Sequence, residues 1–308
     1  MSDFNIHTLG CGSAKPSLRH TPSSTVVDYR GNLFMIDCGE GAQLAFQRQR
    51  LKFSRLGHIF LTHLHGDHVF GLPGLIGTLG LSQVGGSLTI HTFAEGKKIL
   101  SEICNYFCRE LPFELKFNVI APTDAVIFET NALRVRTIAL DHRVPTVGFI
   151  FEEKYGSRHI DRNSTDFHGV PPYMLNRIRA GEDYVKPDGT VVANNLLTTS
   201  PTPPRIYAHI SDTAYMPGLA EKIRGADLLM HETTYLNEHA ADARKRGHST
   251  ATEAATVARD AGVGRLLTGH YSSRYHDDNL FRIEAEKVFP NVILNREGLT
   301  VPIPRVTQ

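Results

Sequence analysis

Strands and helices alternate twice along this 308-residue chain, and the alternation limits the folds that the chain can adopt. The first round runs from "FNIHTLG" to "DHRVPTVGFIFEE", and the second begins at "RIYAHISDT". Short apolar strands separated by amphipathic helical segments predict an α/β protein in which helices cover β-sheets. Polar residues collect at the predicted C-terminal ends of the strands, where α/β folds tend to place their sites.

Residues 154–204 interrupt this alternation. They contain "KPDGT", "TTSPTPP" and one short helical piece, "PPYMLNRIRAGE". An irregular stretch of this length is uncommon inside a compact domain and is usually either functional or disordered. We therefore expect one large α/β domain over residues 1–308 that carries an inserted arm at 154–204.

Bulk composition excludes few classes of protein, but it bears on nucleic-acid binding and on cellular location. The chain is 41% hydrophobic and 21% charged with a net charge of +1, so any surface that binds nucleic acid must be local. The N-terminus lacks the charged and apolar segments of a signal peptide, and no apolar run is long enough to span a membrane. The four scattered cysteines form no CxxC pair. A reducing cytoplasm is the expected location.

The stretch "HIFLTHLHGDHVFGLPG" places His63, His65, Asp67 and His68 within six positions, directly after a predicted buried strand. His63 and His65 are two apart in extended chain and project to one side. Gly66 allows a sharp turn, after which Asp67 and His68 face back. Imidazole and carboxylate groups are typical zinc ligands, with Mn or Fe possible. The alternative is a polar loop whose histidines cap a helix.

Three further candidate ligands stand at predicted strand ends. His142 follows "RTIALD", Asp212 follows "YAHIS" and His270 follows "RLLTG". Each alone is more often a structural residue, but two metals would need one shared anionic bridge and one further histidine each. The predicted assignment gives His63, His65 and His142 to one metal, Asp67, His68 and His270 to the other, and Asp212 to both.

The motif "HLHGDH" is the signature of the metallo-β-lactamase superfamily. Further motifs span Leu9 to Tyr275: "LGCGSAKPS", "IDCGEGAQ", "THLHGDHVFGLPGL", "DHRVPTVGF", "SDT", "HETTY", "GHSTATEAA" and "HYSSRY". With these motifs, the chain as a whole resembles the short form of the ribonuclease Z family. The resemblance implies a four-layer αββα sandwich with a protruding arm, two zinc ions, and a homodimer. It further implies cleavage of precursor tRNA just after the discriminator base, leaving a 3′-hydroxyl.

The predicted ligands suit phosphodiester hydrolysis on chemical grounds as well. Two divalent ions roughly 3.5–4 Å apart can neutralise the phosphate and place a bridging hydroxide for in-line attack, which Asp67 can orient. His248, in "RGHST", is the candidate general acid for the leaving oxygen. Glu232, in "HETT", would hold it, as in the family. The alternative for His248 is a structural position beside the N-cap of a helix. The alternative for Glu232 is a surface acid at the end of a strand.

Several basic and hydroxyl residues are candidate RNA contacts. Hydroxyl and guanidinium groups after His270 suit phosphate oxygens, and the acid-free stretch 41–58 could follow an RNA backbone; a polar turn and a solvated helix face are the alternatives. In the family the N-terminal loop reads Pro-x-Lys-x-Arg-Asn, whereas here lysine precedes Pro16 and His20 stands in place of asparagine. The arm of one family subunit grips the tRNA that the other cleaves. The candidates are Ser272, Ser273, Arg274, Lys15, Arg19, Arg48, Arg50, Lys52, Arg55, and, on the arm, Arg177 and Arg179.

Two other functions remain open at this point. A different hydrolase of the superfamily, acting on small phosphodiesters or on other RNAs, would keep the metals. A metal-stabilised RNA-binding protein would bind without turnover.

Overall fold

The structure, a computed structural model, describes residues 3–305. These residues form two compact units. The main unit comprises residues 3–128, 135–151 and 206–304. The inserted unit comprises residues 129–134 and 152–205, together with Arg305.

The first half of the chain supplies nine strands and four helices, which we number in chain order. They are β1 (Phe4–Gly10), β2 (Ser24–Tyr29), β3 (Asn32–Ile36), α1 (Ala42–Arg48), β4 (Leu56–Phe60), α2 (Gly66–Val69), α3 (Leu72–Leu81), β5 (Ser87–Thr92), α4 (Ala94–Phe107), β6 (Glu114–Val119), β7 (Ala125–Glu129), β8 (Leu133–Ala139) and β9 (Val147–Glu153).

Short elements follow in the inserted unit, and longer ones in the last third of the chain. The former are β10 (His159–Ile160), α5 (Arg162–Phe167), α6 (Leu175–Arg179), β11 (Tyr184–Val185), β12 (Val191–Val192), α7 (Asn194–Leu197) and β13 (Thr198–Thr199). The latter are β14 (Ile206–Ile210), α8 (Leu219–Lys222), β15 (Leu228–Glu232), α9 (Ala240–Arg246), α10 (Ala251–Ala261), β16 (Leu266–Gly269), α11 (Asn279–Glu286), β17 (Val292–Ile293) and β18 (Thr300–Pro302).

The strands form two seven-stranded sheets, ordered β18-β1-β2-β3-β4-β5-β6 and β17-β16-β15-β14-β9-β8-β7. The run from β18 to β3 is antiparallel, and β3 to β6 are parallel. The hairpin between β2 and β3 turns on Arg30 and Gly31, whose φ angles of 51° and 79° fit a type I′ turn. In the second sheet β14 to β17 are parallel, so their C-terminal ends lie at one edge.

The two sheets pack face to face through aromatic side chains. The rings of Phe60 and Phe149 lie 5.3 Å apart, and those of Phe34 and Phe151 lie 5.9 Å apart. Each such pair adds about 0.5–1.5 kcal/mol beyond the burial of its area. Helices α1, α3 and α4 bury apolar residues against the first sheet, and α8, α10 and α11 against the second. The predicted four-layer αββα sandwich is confirmed.

Two features of the fold differ from the sequence-based expectation. Strand β18 was not predicted; it pairs with β1 at the sheet edge, where Pro302 is tolerated because an edge strand leaves one side unpaired. The supposedly irregular stretch 154–204 forms a small core of Ile178, Tyr184, Val192 and Leu197. Its apolar residues are too widely spaced to give a periodic pattern.

Among residues 3–305, no helix combines the length and the apolar character needed to cross a membrane.

Candidate dinuclear metal site

The histidine-rich segment occupies the turn between β4 and α2. His63 is fully buried, and His65 lies just before the first residue of α2 in extended conformation. Gly66 lies against the exposed ring of Phe70, and a Cβ at Gly66 would stand 2.3 Å from that ring, which would have to turn away. The tight turn brings His63 Nε2 within 3.0 Å of His65 Nδ1 and carries His68 into the interior on the helix.

The three candidate ligands from distant parts of the sequence lie at the ends of three strands, beside the histidine-rich turn. His142 follows β8, Asp212 follows β14 and His270 follows β16. His270 has a φ of 61°, an uncommon conformation for a residue with a side chain. Backbone strain of this kind costs on the order of 1–3 kcal/mol, and it clusters at functional sites.

One group of four side chains surrounds the first candidate position. His142 Nε2 lies 3.4 Å from His65 Nδ1. Asp212 Oδ2 lies 3.6 Å from His63 Nε2 and 3.8 Å from His142 Nε2. Four potential ligand atoms, one each from His63, His65, His142 and Asp212, therefore converge.

A second group shares the same aspartate through its other oxygen. Asp212 Oδ1 lies 3.2 Å from His270 Nε2 and 3.6 Å from His68 Nε2. Asp67 Oδ2 lies 3.5 Å and 3.6 Å from the same two nitrogens, which are 3.3 Å apart. The structure thus brings together all seven predicted ligands in the two predicted groups, with Asp212 facing both.

The spacing within both groups fits metal ions. Four nitrogen or oxygen ligands at roughly 2.0–2.1 Å from a tetrahedral zinc ion stand about 3.3–3.4 Å from one another. The separations given above run from 3.0 to 3.8 Å. Imidazole nitrogens at such distances are joined either by an N–H···N hydrogen bond or by a cation that both lone pairs bind, and the convergence of four ligand atoms favours the cation.

The protonation states also fit metal binding. Burial lowers the pKa of His63 well below its ordinary value and lowers the pKa values of His65 and His142, so these rings stay neutral with a free lone pair. Burial opposes charge on His68 too, but the carboxylates of Asp37 and Asp212 raise its pKa to about 10. The same negative charge would attract a divalent cation in place of that proton.

Outer hydrogen bonds fix the orientation of the rings. His68 Nδ1 donates to Asp37 Oδ2 at 2.7 Å, and His142 Nδ1 donates to the carbonyl oxygen of Gly247 at 2.7 Å. His270 Nδ1 lies 2.8 Å from the hydroxyl of Thr234. Such partners hold the opposite nitrogen toward the metal and raise its basicity.

Asp37 and the backbone amide of Ala14 are site groups that sequence reasoning missed. Asp37 follows β3, is buried, and also accepts hydrogen bonds from the amide and hydroxyl of Thr62 at 2.8 Å each. The amide of Ala14 donates to Asp67 Oδ2 at 2.7 Å. The acid that ends "NLFMID", beside the strand that leads to the histidines, was the available signal for Asp37. The Ala14 amide leaves no signal in the sequence, because every residue except proline carries such a group.

Replacing Asp37 with alanine should weaken metal binding by about 10–100-fold, because the Nδ1–H of His68 loses its acceptor. Competition with a chromophoric chelator measures the affinity. Asp28→Ala is the matched control, since Asp28 lies on neighbouring β2 and accepts a hydrogen bond from the amide of Gly31. Equal affinities in the two variants would remove Asp37 from the site.

His248 and Glu232 form a pair beside Asp212. His248 Nδ1 lies 2.8 Å from Glu232 Oε1 and 3.9 Å from Asp212 Oδ2. Burial disfavours the charged ring, but the carboxylate of Glu232 raises the pKa of His248 to about 9. Glu232 is held in turn by the amides of Thr213 and Thr234, both at 3.0 Å. His248 is therefore protonated at neutral pH.

The local sequence explains why His248 stands there. Gly247 caps the C-terminus of α9 in left-handed conformation, and Thr250 caps the N-terminus of α10 through a capping box with Glu253. His248 lies in the short link between the two helices, where its backbone amide bonds to the carbonyl of Ala243. Both helix ends thus restrict its position.

The candidate RNA contacts differ in their exposure and in the partners that they already have within the chain. Arg274 pairs with Asp242 at 3.0 Å and lies over the ring of Tyr235, whose ring centroid is 6.1 Å from that of His248. Arg19 is engaged by the carbonyl oxygens of Tyr275 and His276. Lys15 and Ser273 are exposed, and Ser272 is half-buried.

The basic stretch before β4 is exposed but lies away from the histidines. Arg48, Arg50, Lys52 and Arg55 precede the start of β4, whereas His63 follows its end. Five residues of strand separate the two edges by roughly 16 Å. On the inserted unit, Arg177 and Arg179 are exposed, and Arg177 pairs with Glu182 at 2.5 Å.

Comparison with known proteins places this arrangement in a class. A family model described as "Anti-Pycsar protein Apyc1" matches residues 4–161, and one described as "Beta-lactamase superfamily domain" matches residues 197–271. The solved structure of human tRNase Z, short form, is similar to this chain with a TM-score of 0.69 at 24% identity, covering 97% of this chain and 99% of that one. The fold is that of a metallo-β-lactamase-type protein.

Full-length relatives narrow the class to one family. Ribonuclease Z of Parabacteroides distasonis is 47% identical over 304 residues, covering 98% of this chain and 100% of the relative. Ribonuclease Z of Phocaeicola vulgatus is 46% identical over 307 residues, covering 99% of each. The chain belongs to the ribonuclease Z family.

Proposed function

We propose that the chain is a zinc-dependent endoribonuclease that removes the 3′ trailer from precursor tRNA, cutting after the discriminator base and leaving a 3′-hydroxyl. The observation that carries the proposal is the position of Asp212, which offers one oxygen to each of two ligand groups beside the His248–Glu232 pair. The relatives named ribonuclease Z supply the substrate class.

The seven converging side chains would hold two zinc ions, with His63, His65 and His142 on one, Asp67, His68 and His270 on the other, and Asp212 on both; Mn²⁺ or Fe²⁺ would suit the same donors. When bound, such ions neutralise the phosphodiester and lower the pKa of water to about 7. Asp67 would orient the attacking water through its carboxylate. Burial opposes the charge on Asp67, but the hydrogen bond to His270 and the charge of His68 hold the pKa of Asp67 below its ordinary value, so Asp67 remains an acceptor.

His248 would supply the proton for the leaving oxygen. Its Nδ1 is occupied by Glu232, so Nε2 is the nitrogen available to the substrate. As the water oxygen joins phosphorus, the bond from phosphorus to the 3′-oxygen breaks, and the imidazolium proton passes to that oxygen. The tRNA then ends in a hydroxyl, and the trailer keeps the phosphate. Ser272, Ser273 and Arg274, which follow His270, would contact the phosphates beside the cut.

RNA binding is proposed to extend over further basic residues. Residues 154–204 would serve as an arm inserted in a single catalytic domain, with Arg177 and Arg179 of α6 as phosphate contacts. Lys15 and Arg19 of the N-terminal loop, and Arg48, Arg50, Lys52 and Arg55 before β4, would contact other parts of the tRNA. Long substrates reach several such patches at once, which a small phosphodiester does not.

Replacing Arg177 and Arg179 together with alanine should weaken tRNA binding and reduce the slope of log affinity against log salt by roughly 1 for each lost phosphate contact. The KM should rise, and hydrolysis of a small phosphodiester should stay unchanged. Arg224→Ala is the control, because Arg224 is similarly exposed and paired with a glutamate. An unchanged salt slope would exclude the two arginines from RNA binding.

Assembly as a homodimer and a cytoplasmic location complete the proposal. Ile99, Tyr106 and Phe107 of α4 are exposed apolar side chains, of the kind that mark contact surfaces between proteins. The four cysteines are free thiols, as is usual in a reducing compartment. In the dimer the arm of one subunit would grip the tRNA that the other subunit cuts.

Parallel assays on a precursor tRNA and a generic phosphodiester test the function. We expect one cut per precursor, after the discriminator base, with a kcat/KM far above that for the small diester. The rival activity on small phosphodiesters or on other RNAs would reverse this preference. RNA binding without turnover in zinc-loaded protein would contradict catalysis altogether.

A further inference from the structure

A second cluster of ligand-type side chains lies outside the two groups around Asp212. Cys11 follows β1, His20 stands at the end of the loop before β2, and Glu297 lies in the turn between β17 and β18. Cys11 and His20 are 1% and 8% exposed. One potential ligand atom from each lies within 4.8 Å of the other two.

The hydrogen bonds of His20 distinguish its two ring nitrogens. Nε2 makes one short contact, 2.9 Å to Asp278 Oδ2, in which it donates. Nδ1 faces three atoms at greater distances: both carboxylate oxygens of Glu297 at 3.2 Å and Cys11 Sγ at 3.5 Å. In a protonated ring the Nδ1–H is shared between the two oxygens of the one Glu297 carboxylate, and the thiol of Cys11 lies beside it. A zinc ion at Nδ1 would take the place of that proton, while Nε2 keeps its hydrogen bond to Asp278.

The distances around Nδ1 match a tetrahedral metal centre. With Zn–S of about 2.3 Å and Zn–N of about 2.0–2.1 Å, a sulfur and a nitrogen ligand stand about 3.6 Å apart, and a nitrogen and an oxygen ligand about 3.3–3.4 Å apart. The observed separations are 3.5 Å and 3.2 Å. Thiolate, imidazole and carboxylate are all zinc ligands.

We propose that Cys11, His20 and Glu297 bind a zinc ion at a structural site, with Asp278 as the outer carboxylate that orients His20. Zinc would bind the Cys11 sulfur as thiolate, and the thiol proton would leave to solvent. Solvent would complete the coordination. The site does not depend on RNA cleavage, because none of its ligands belongs to the two groups around Asp212.

Such an ion would fasten the N-terminal loop to the C-terminal part of the main unit. The loop between Cys11 and His20 carries the Ala14 amide that holds Asp67, and Arg19 pairs with the same Asp278 that holds His20. Gly12 packs so closely against His20 that a Cβ would lie 2.7 Å from the His20 Cβ. Without the ion, the same segments are joined through a His20 imidazolium between two carboxylates.

Substitution with cobalt distinguishes a metal-bound site from an ion pair between His20 and the two carboxylates. The proposed catalytic ligands contain no sulfur, so a near-ultraviolet thiolate-to-cobalt charge-transfer band reports this site alone. Cobalt-loaded protein should bind three equivalents and show the band. Cys11→Ser should lose the band and one equivalent, whereas Cys104→Ser, which changes a buried cysteine of α4, should keep both.

Two outcomes would overturn the proposal: only two equivalents with no charge-transfer band, or a band that persists in Cys11→Ser. Should Cys11→Ser fail to fold, Glu297→Gln keeps the thiol while removing the carboxylate charge. This variant should lower the cobalt affinity measured through the band. Unchanged affinity would leave His20 as an ion-pair partner only.

Discussion

Alanine in place of Asp212 is expected to lower the rate of precursor cleavage by more than about 100-fold. Losing a residue that only orients a metal ligand costs up to about that factor, and Asp212 is itself one of the proposed ligands. The reason is geometric. One carboxylate lies 3.2 Å from His270 and 3.6 Å from His63, so its removal takes a ligand from both groups at once. Initial rates with saturating tRNA and elemental analysis of the purified variant measure the two effects.

The control for this prediction is an aspartate with no part in the site. Asp260 of α10 is exposed and pairs with Arg259, so Asp260→Ala should leave rate and metal content unchanged. An Asp212→Ala variant that keeps the full metal content of the unaltered protein and turns over near the normal rate would exclude the bridging role.

Alanine in place of His248 should slow the chemical step by about 100-fold or more while both metals remain bound. The ring holds a proton at neutral pH, because Glu232 raises its pKa to about 9, and it is not one of the seven converging side chains. Single-turnover rates on a precursor tRNA isolate the step. His276→Ala, which removes an exposed histidine, is the control. An unchanged single-turnover rate in His248→Ala would remove the ring from the mechanism.

The pH profile gives an independent reading of the same pair. A general acid is competent below its pKa, so activity due to the His248 imidazolium should be present below about pH 9 and lost above it. Glu232→Gln removes the main cause of the raised pKa. The alkaline limb of the kcat profile should therefore move to lower pH. A limb that stays in place would assign it to another group.

The sequence identified the candidate site because its ligands follow local rules. Strand periodicity and one glycine turn were enough to group His63, His65 and Asp67, and strand ends singled out His142 and His270. These are short-range patterns. Strands β4, β14 and β16 belong to the parallel parts of the two sheets, and the ligands that follow them meet His142, which follows β8. The resemblance supplied the pairing of His248 with Glu232, which spacing alone does not reveal.

Partners within the folded chain were beyond the reach of the sequence. Asp37 is one acid among many, and its bond to His68 exists only because β3 and β4 are neighbours. Arg19 is a candidate phosphate contact, and no sequence pattern indicates that its guanidinium also bonds to two backbone carbonyls and Asp278. The inserted unit has a core of four widely separated residues, which no window of sequence reveals.

Anomalous diffraction from crystals of the zinc-loaded protein tests the dinuclear centre most directly. The account predicts a pair of strong peaks roughly 3.5–4 Å apart, one on each side of the Asp212 carboxylate. This pair is separate from the single peak proposed among Cys11, His20 and Glu297. One peak should lie among His63, His65 and His142, and the other among Asp67, His68 and His270. A single peak between Oδ1 and Oδ2, or zinc bound only elsewhere on the chain, would contradict it.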